Sequence, residues 1–176
     1  TEFNDDALRL LKKHQESIDD KVRFQEYRGA LGEEQEAIER LLLLLKDSDG
    51  FVRGSAADAL GRLGNASDDV VQQLLLLLKD SDWVVRGRAA NALGKLANAS
   101  DDVVQQLLPL LKDSDYFVRE RAADALSKLG NASDYVVQQL LLLLKDSDYF
   151  VRRRIAQALG KLGNASDDVV QQLLLL

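Results

Sequence analysis

Along residues 41–163 the apolar positions follow two alternating patterns. The first is short and dense: Val70, Val71 and Leu74 to Leu78 follow Ser67-Asp68-Asp69 and end at Lys79-Asp80. The second is sparser: Val85, Ala89, Ala92, Leu93 and Leu96 recur after Asp82 at the three- and four-residue steps of a helix. Both predict helices, one from Ser67 to about Lys79 and one from near Asp82 to about Leu96. Ser67 suits an N-cap, and Asp68 and Asp69 suit the positive end of the helix dipole. The run of five leucines is apolar nearly all round, which predicts burial on several sides. It is too short, and too charged at its ends, to cross a bilayer. Pro109 interrupts the third copy and predicts a kink there. Gly64, Gly130 and Gly163 stand where the sparse helices should end in a left-handed residue, with Ala97 the exception.

The pair of patterns repeats every 33 residues. Lys-Asp-Ser-Asp recurs with its first Asp at Asp47, Asp80, Asp113 and Asp146, and Asn-Ala-Ser-Asp recurs from Asn65, Asn98, Asn131 and Asn164. Residues 65–97 and 98–130 agree at 26 of 33 positions, and 98–130 and 131–163 at 27. A unit of two helices cannot bury its own apolar face, so stacking is required. The expected architecture is an all-α, right-handed solenoid of helix–turn–helix repeats, a single array over 1–176, with the first helices outside and the second inside. Residues 1–40 diverge and lose register; they read as an N-terminal capping repeat or, alternatively, a separate helical hairpin. Residues 41–163 are the regular repeats and 164–176 a partial terminal one. Val169, Val170 and Leu173 to Leu176 then lack a covering helix, which predicts self-association through that end.

Composition narrows the chemistry. Cys and Met are both absent, which removes disulfides, thiol nucleophiles and Cys-based zinc sites. The missing initiator suggests a processed or excised chain. The net charge of −6 argues against nucleic acid or an anionic membrane as a partner. The single histidine, His14, has no second His or Cys with which to form a zinc site or a relay. No catalytic residue, cofactor or metal is expected. Asp47-x-Asp49-Gly50 resembles the opening of a calcium loop, but Phe51 stands where an oxygen ligand belongs. The Asn-Ala-Ser tripeptides match a glycosylation sequon; with no signal peptide, they read as connectors and caps. Arg53, Arg86, Arg119 and Arg152 recur in step with the Asp residues of Lys-Asp-Ser-Asp, which predicts an Asp–Arg ladder between repeats.

The string Asp-Ser-Asp-x-x-Val-Arg-x-x-Ala-Ala-x-Ala-Leu-Gly-x-Leu-Gly, from Asp47 to Gly64, resembles HEAT-like repeats of the phycobilisome-lyase type. Similar repeats occur in cyanobacterial arrays attached to NACHT-type NTPases and in artificial HEAT-like scaffolds. The likeness covers about 41–176. Ankyrin repeats share the period but need Thr-Pro-Leu-His-like turns, which are absent. The resemblance implies an α-solenoid whose second helices line a concave face, and no single activity. A non-catalytic, cytoplasmic protein-interaction scaffold is the leading expectation. A bilin lyase or chaperone-type subunit acting on a phycobiliprotein is the first alternative. A nucleic-acid-binding module, by analogy with HEAT-like repair glycosylases, is the second.

Within one chain, fold-determining positions should repeat and partner-facing positions can diverge. On a helical wheel 52, 56, 59, 60 and 63 span an arc of about 100°, the expected core. Positions 50, 51, 54, 55 and 58 diverge and span another arc of about 140°. Aromatic and Arg residues dominate there, the composition of interface hot spots. The expected protein-binding residues are Trp83 and Arg88 in the second unit; Tyr116, Glu120 and Arg121 in the third; and Tyr149, Arg153, Arg154 and Gln157 in the fourth. The aromatics at the position of Phe51 read either as partner contacts or as packing between repeats.

Overall fold

The computed structural model describes residues 34–163. Expectations for the N-terminal cap, for His14 and for the uncapped end at 164–176 lie outside the described residues. Eight α-helices follow in order: α1 Glu34–Leu44, α2 Gly50–Leu63, α3 Asp68–Leu77, α4 Trp83–Leu96, α5 Asp101–Leu107, α6 Tyr116–Leu129, α7 Asp134–Leu142 and α8 Tyr149–Leu162. Short 3₁₀ segments, Leu108–Lys112 and Leu143–Lys145, extend α5 and α7. No strand occurs among the described residues. The chain is an α-solenoid, with α1, α3, α5 and α7 in one layer and α2, α4, α6 and α8 in the other.

The helix ends have local causes. Asp49, Asp82, Asp115 and Asp148 each accept a hydrogen bond from the backbone N–H two residues on, at 2.8 Å, and cap the second helices. Gly64, Gly130 and Gly163 close them in the left-handed conformation. Ala97 adopts the same conformation, with φ of 53°, although it carries a Cβ. At the start of the first helices the expected serine cap is only partly realised. Ser100 Oγ accepts from Val103 N at 3.5 Å, while Ser67 and Ser133 make no capping bond through the side chain. The Asn of the connector does more. Asn65, Asn98 and Asn131 accept from the N–H groups of Ser67, Ser100 and Ser133 at 3.0–3.1 Å, so the tripeptide is an Asx turn that aims the chain into the next helix. The first helices also tighten at their ends. After α3, the N–H groups of Leu78, Lys79 and Asp80 bond three residues back at 3.2 Å. Pro109 starts that tightening earlier, at Leu108, and the tightening after α7 needs no proline.

The two layers pack unequally. Consecutive second helices touch along their length, whereas consecutive first helices touch sparsely. The reason is side-chain size. Ala56, Ala57 and Ala59, and their counterparts in the second and third units, are fully buried between neighbours. A Cβ added at Gly61 would lie 2.8 Å from Ala92 Cα, and one at Gly94 would lie 2.7 Å from Ala125 Cα. Glycine is needed there for close backbone approach. In the third unit the same position is Ser127, buried, with its hydroxyl turned to the Asp124 carbonyl at 2.8 Å, and α6 and α8 meet less extensively. Leucines hold the first helices apart. The closer spacing puts the second helices on the inside of the curve.

Between the layers runs one core, with Leu60, Leu74, Leu93, Leu107, Leu126 and Leu140 fully buried. The leucine run is not buried all round, as its composition suggests. Leu74, Leu75, Leu77 and Leu78 are buried, but Leu76 is 64% exposed, as are Leu43 at 64% and Leu142 at 66% at the equivalent positions. A helix against a single neighbouring layer always leaves one direction to solvent.

Two substitutions test this account by thermal or urea unfolding. Leu93→Ala removes a fully buried side chain and is expected to cost about 2–5 kcal/mol. Ala97→Gly relieves a left-handed Ala and is expected to raise stability by roughly 0.5–1 kcal/mol, net of the greater freedom of the unfolded chain.

Candidate protein-binding face

The turns before the second helices fix how one repeat sits on the next. Arg53 Nε donates to Asp80 Oδ2 at 2.8 Å, and its Nη2 to Oδ1 at 2.9 Å. Arg86 makes the same pair of bonds to Asp113, and Arg119 to Asp146. Each Arg reaches forward to the next unit's Asp. Its remaining nitrogen turns back: Arg53 Nη1 donates to the carbonyls of Asp47 at 2.8 Å and Ser48 at 3.1 Å. Asp80 Oδ1 also accepts from Asp82 N at 2.9 Å, which ties the clamp to the helix cap. The ladder is therefore continuous and largely shielded; the Arg86 and Asp113 side chains keep only 16% and 12% of their exposure. Burial alone would raise the Asp80, Asp113 and Asp146 carboxyls. The guanidinium bonds, the backbone N–H and the nearby Arg charges outweigh it and hold all three below the usual carboxylate range.

On the second-helix face, Trp83, Tyr116 and Tyr149 begin successive helices at one repeat position and are 46%, 47% and 60% exposed. The aromatics one residue later behave differently. Phe117 is half-buried, edge-on to Trp83 with ring centres 5.5 Å apart, and occupies space left by Gly87. Phe51 is half-buried beneath the Arg88 guanidinium at 5.1 Å. Phe150 stays 55% exposed, edge-on to Tyr149 at 5.6 Å.

The divergent polar residues are matched between neighbours. Arg88 donates to Ser55 Oγ at 2.9 Å and lies 3.7 Å from the Asp58 carboxylate, both one unit back. Arg154 does the same in the fourth unit, reaching Glu120 at 2.8 Å and Asp124 at 3.4 Å. Gln157 accepts from Arg154 at 3.4 Å. Asp124 is buried and also lies 2.7 Å from Lys128 and 3.7 Å from Lys161. Burial pushes its carboxyl up, but the Lys128 hydrogen bond and the charges of Lys128, Arg154 and Lys161 pull it lower overall. Arg121 instead lies over the Phe117 ring at 4.8 Å, and Arg153 is exposed.

Two clefts open among these residues. One of about 300 Å³ is lined by Asp58, Arg62, Gly87, Arg88, Asn91, Lys95, Phe117 and Arg121. The other, of about 210 Å³, is lined by Glu120, Phe150, Arg153, Arg154 and Gln157. Six of the nine residues expected from sequence line one cleft or the other; Trp83, Tyr116 and Tyr149 flank them. Sequence reasoning did not select the cations Arg62, Lys95, Lys128 and Lys161. Their signal was available: position 62 falls about 120° from position 50, inside the divergent arc.

Residues 71–140 match the family model of HEAT repeats, and residues 52–80 match that of the PBS lyase HEAT-like repeat. Residues 52–140 thus carry HEAT-like repeats. No curated protein matches it in sequence. Its HEAT-like fold is similar to that in the complex of CpcE and CpcF of phycocyanin lyase from Nostoc sp. PCC7120, with 23% identity and a TM-score of 0.68 over 88% of this chain and 62% of that one. It is also similar to an engineered protein, with 25% identity and a TM-score of 0.63 over 93% of this chain and 80% of that one. A computationally designed armadillo repeat protein for modular peptide recognition gives 19% identity and a TM-score of 0.58 over 93% and 81%. This chain thus spans less than two thirds of the lyase chain. Among the described residues of the HEAT-like array, no helix is long and apolar enough to cross a membrane. No group of three or more His, Cys, Asp or Glu residues among them is placed to hold a metal.

The ladder carries a pH prediction. A carboxyl held low in the folded chain binds protons more weakly than in the unfolded chain, whose Asp value is about 3.9. Its contribution is complete above about pH 4 and is lost as pH falls through the lower folded value. The urea midpoint is expected to fall on acidification below about pH 4. Asp113→Asn is expected to cost about 2 kcal/mol near neutral pH and to make that acid loss shallower.

Proposed function

We propose that the chain is a non-catalytic protein-interaction scaffold, a single array over 1–176, that binds a protein partner on the face of its second helices. The observation that supports this most strongly is the row of Trp83, Tyr116 and Tyr149. Three large aromatics stand exposed at one repeat position, on the inside of the curve, beside two clefts lined by Arg side chains. Large aromatics that supply contact area with few rotatable bonds, next to Arg, make effective binding anchors.

A second reading comes from the PBS lyase HEAT-like match over 52–80: a lyase-type subunit acting on a phycobiliprotein. The two separate by ligand. A lyase-type subunit should retain a bilin or a phycobiliprotein in a pull-down; a general scaffold should not. For the scaffold reading, Trp83→Ala, Tyr116→Ala and Tyr149→Ala combined are expected to weaken a captured partner by at least about 2 kcal/mol, some thirtyfold, with unchanged helical circular dichroism. Unchanged affinity in that triple variant would sink the assignment of this face.

A further inference from the structure

We propose that the cleft over α4 receives the acidic side chains of an extended peptide segment of the partner. The proposal rests on the scaffold reading and names the partner's chemistry. The cleft is lined by four cations, Arg62, Arg88, Lys95 and Arg121, and one carboxylate, Asp58. Setting aside Arg62, which has an interaction of its own, three cations face one carboxylate within about 300 Å³, on a chain whose net charge is −6. Asp58 already faces Arg88 at 3.7 Å and Lys95 at 3.9 Å, so its single charge is shared.

Arg121 decides the matter. Its equivalents Arg88 and Arg154 each find a carboxylate one unit back, at Asp58 and at Glu120 and Asp124. One unit back from Arg121 stand Gly87, Arg88 and Asn91, none of them acidic. Arg121 therefore lies on the Phe117 ring, a contact that orients the guanidinium and leaves its charge uncompensated by any anion among the described residues. A planar guanidinium held in this way offers a paired set of donors to a carboxylate. Phe117 and the half-exposed Trp83 beside it add an apolar flank for a neighbouring aliphatic or aromatic residue. A peptide fits better than nucleic acid. Asp58 in this cleft and Glu120 in the next would oppose a backbone carrying a charge at every nucleotide, whereas a peptide can space its carboxylates to avoid them.

The test is fluorescence anisotropy with the full chain. The probes are a labelled peptide of alternating Glu pairs and Leu or Phe, the same peptide with Gln for Glu, and a single-stranded oligonucleotide of similar length. The Glu peptide is expected to bind at least about tenfold tighter than the Gln peptide, and to weaken as salt is raised. Lys95→Gln with Arg121→Gln should remove that preference while helical circular dichroism is unchanged; Arg121→Lys should retain most of it. Equal binding of the two peptides, a preference that survives the double variant, or tighter binding of the oligonucleotide would overturn the proposal. The scaffold reading is judged separately. If the triple aromatic variant loses a captured partner while the double charge variant keeps it, the acidic class fails and the binding face stands.

Discussion

A stack of identical helix pairs has little in its apolar surfaces to stop one unit sliding along the next, because a Leu in one register resembles a Leu in another. The bidentate bonds from Arg53 to Asp80, Arg86 to Asp113 and Arg119 to Asp146 supply that stop. A planar fork meeting a planar carboxylate fixes both distance and orientation. The back-directed bond of the same guanidinium to the carbonyls of its own turn means that the clamp joins two turns, not merely two side chains. Each acceptor Asp also holds the N–H of the residue that caps the following helix at 2.8–2.9 Å. Repeat spacing, turn shape and helix start therefore share one network. Desolvation works against such a pair, so its value lies in register as much as in stability.

With register fixed, the small residues of the second helices set the curvature. Gly61 against Ala92 and Gly94 against Ala125 bring backbones into contact, while the leucine-rich first helices stay apart. Close spacing on the inside has a consequence for function. Side chains on that face reach across to the next unit, so polar variation there is answered by a neighbour: Gly87 by Phe117, Glu120 by Arg154, Asp58 by Arg88 and Asn91. The face is built by its own repeats before any partner arrives.

The helices, their order and most of their ends were legible in sequence because their causes are local. The Asp caps, the Gly ends and the apolar steps all lie within one turn of the feature that they determine. The ladder was legible as a pairing, since both partners recur at the same period. Its geometry was not: the acceptor lies 27 residues away in the next unit, and the carbonyl bonds depend on turn shape. The serine caps were overestimated because Asn65 and its equivalents already close the connector. Exposure of Leu76 was missed because a run of like residues has no period to mark its outward side. In the candidate face, exposure of Trp83, Tyr116 and Tyr149 agreed with the divergent arc. The difference between Arg88, bonded to its neighbour, and Arg121, laid on the Phe117 ring, depended on which residues stand one unit back.

Divergence inside a repeat array has two sources that sequence comparison of the units does not separate. A position can vary to suit its neighbour, or it can vary to suit a partner. Geometry separates them by asking whether the varied group is answered within the array. Arg88 and Arg154 are answered, and their variation from Ser55 belongs to the packing. The three aromatics at the helix starts keep about half their surface or more, and Arg121 meets a ring where its equivalents meet carboxylates. In a structure where nearly every feature has a copy 33 residues away, the unanswered copy is the informative one. The repeat supplies the internal reference, and the places that depart from it without compensation are where a partner has room to act.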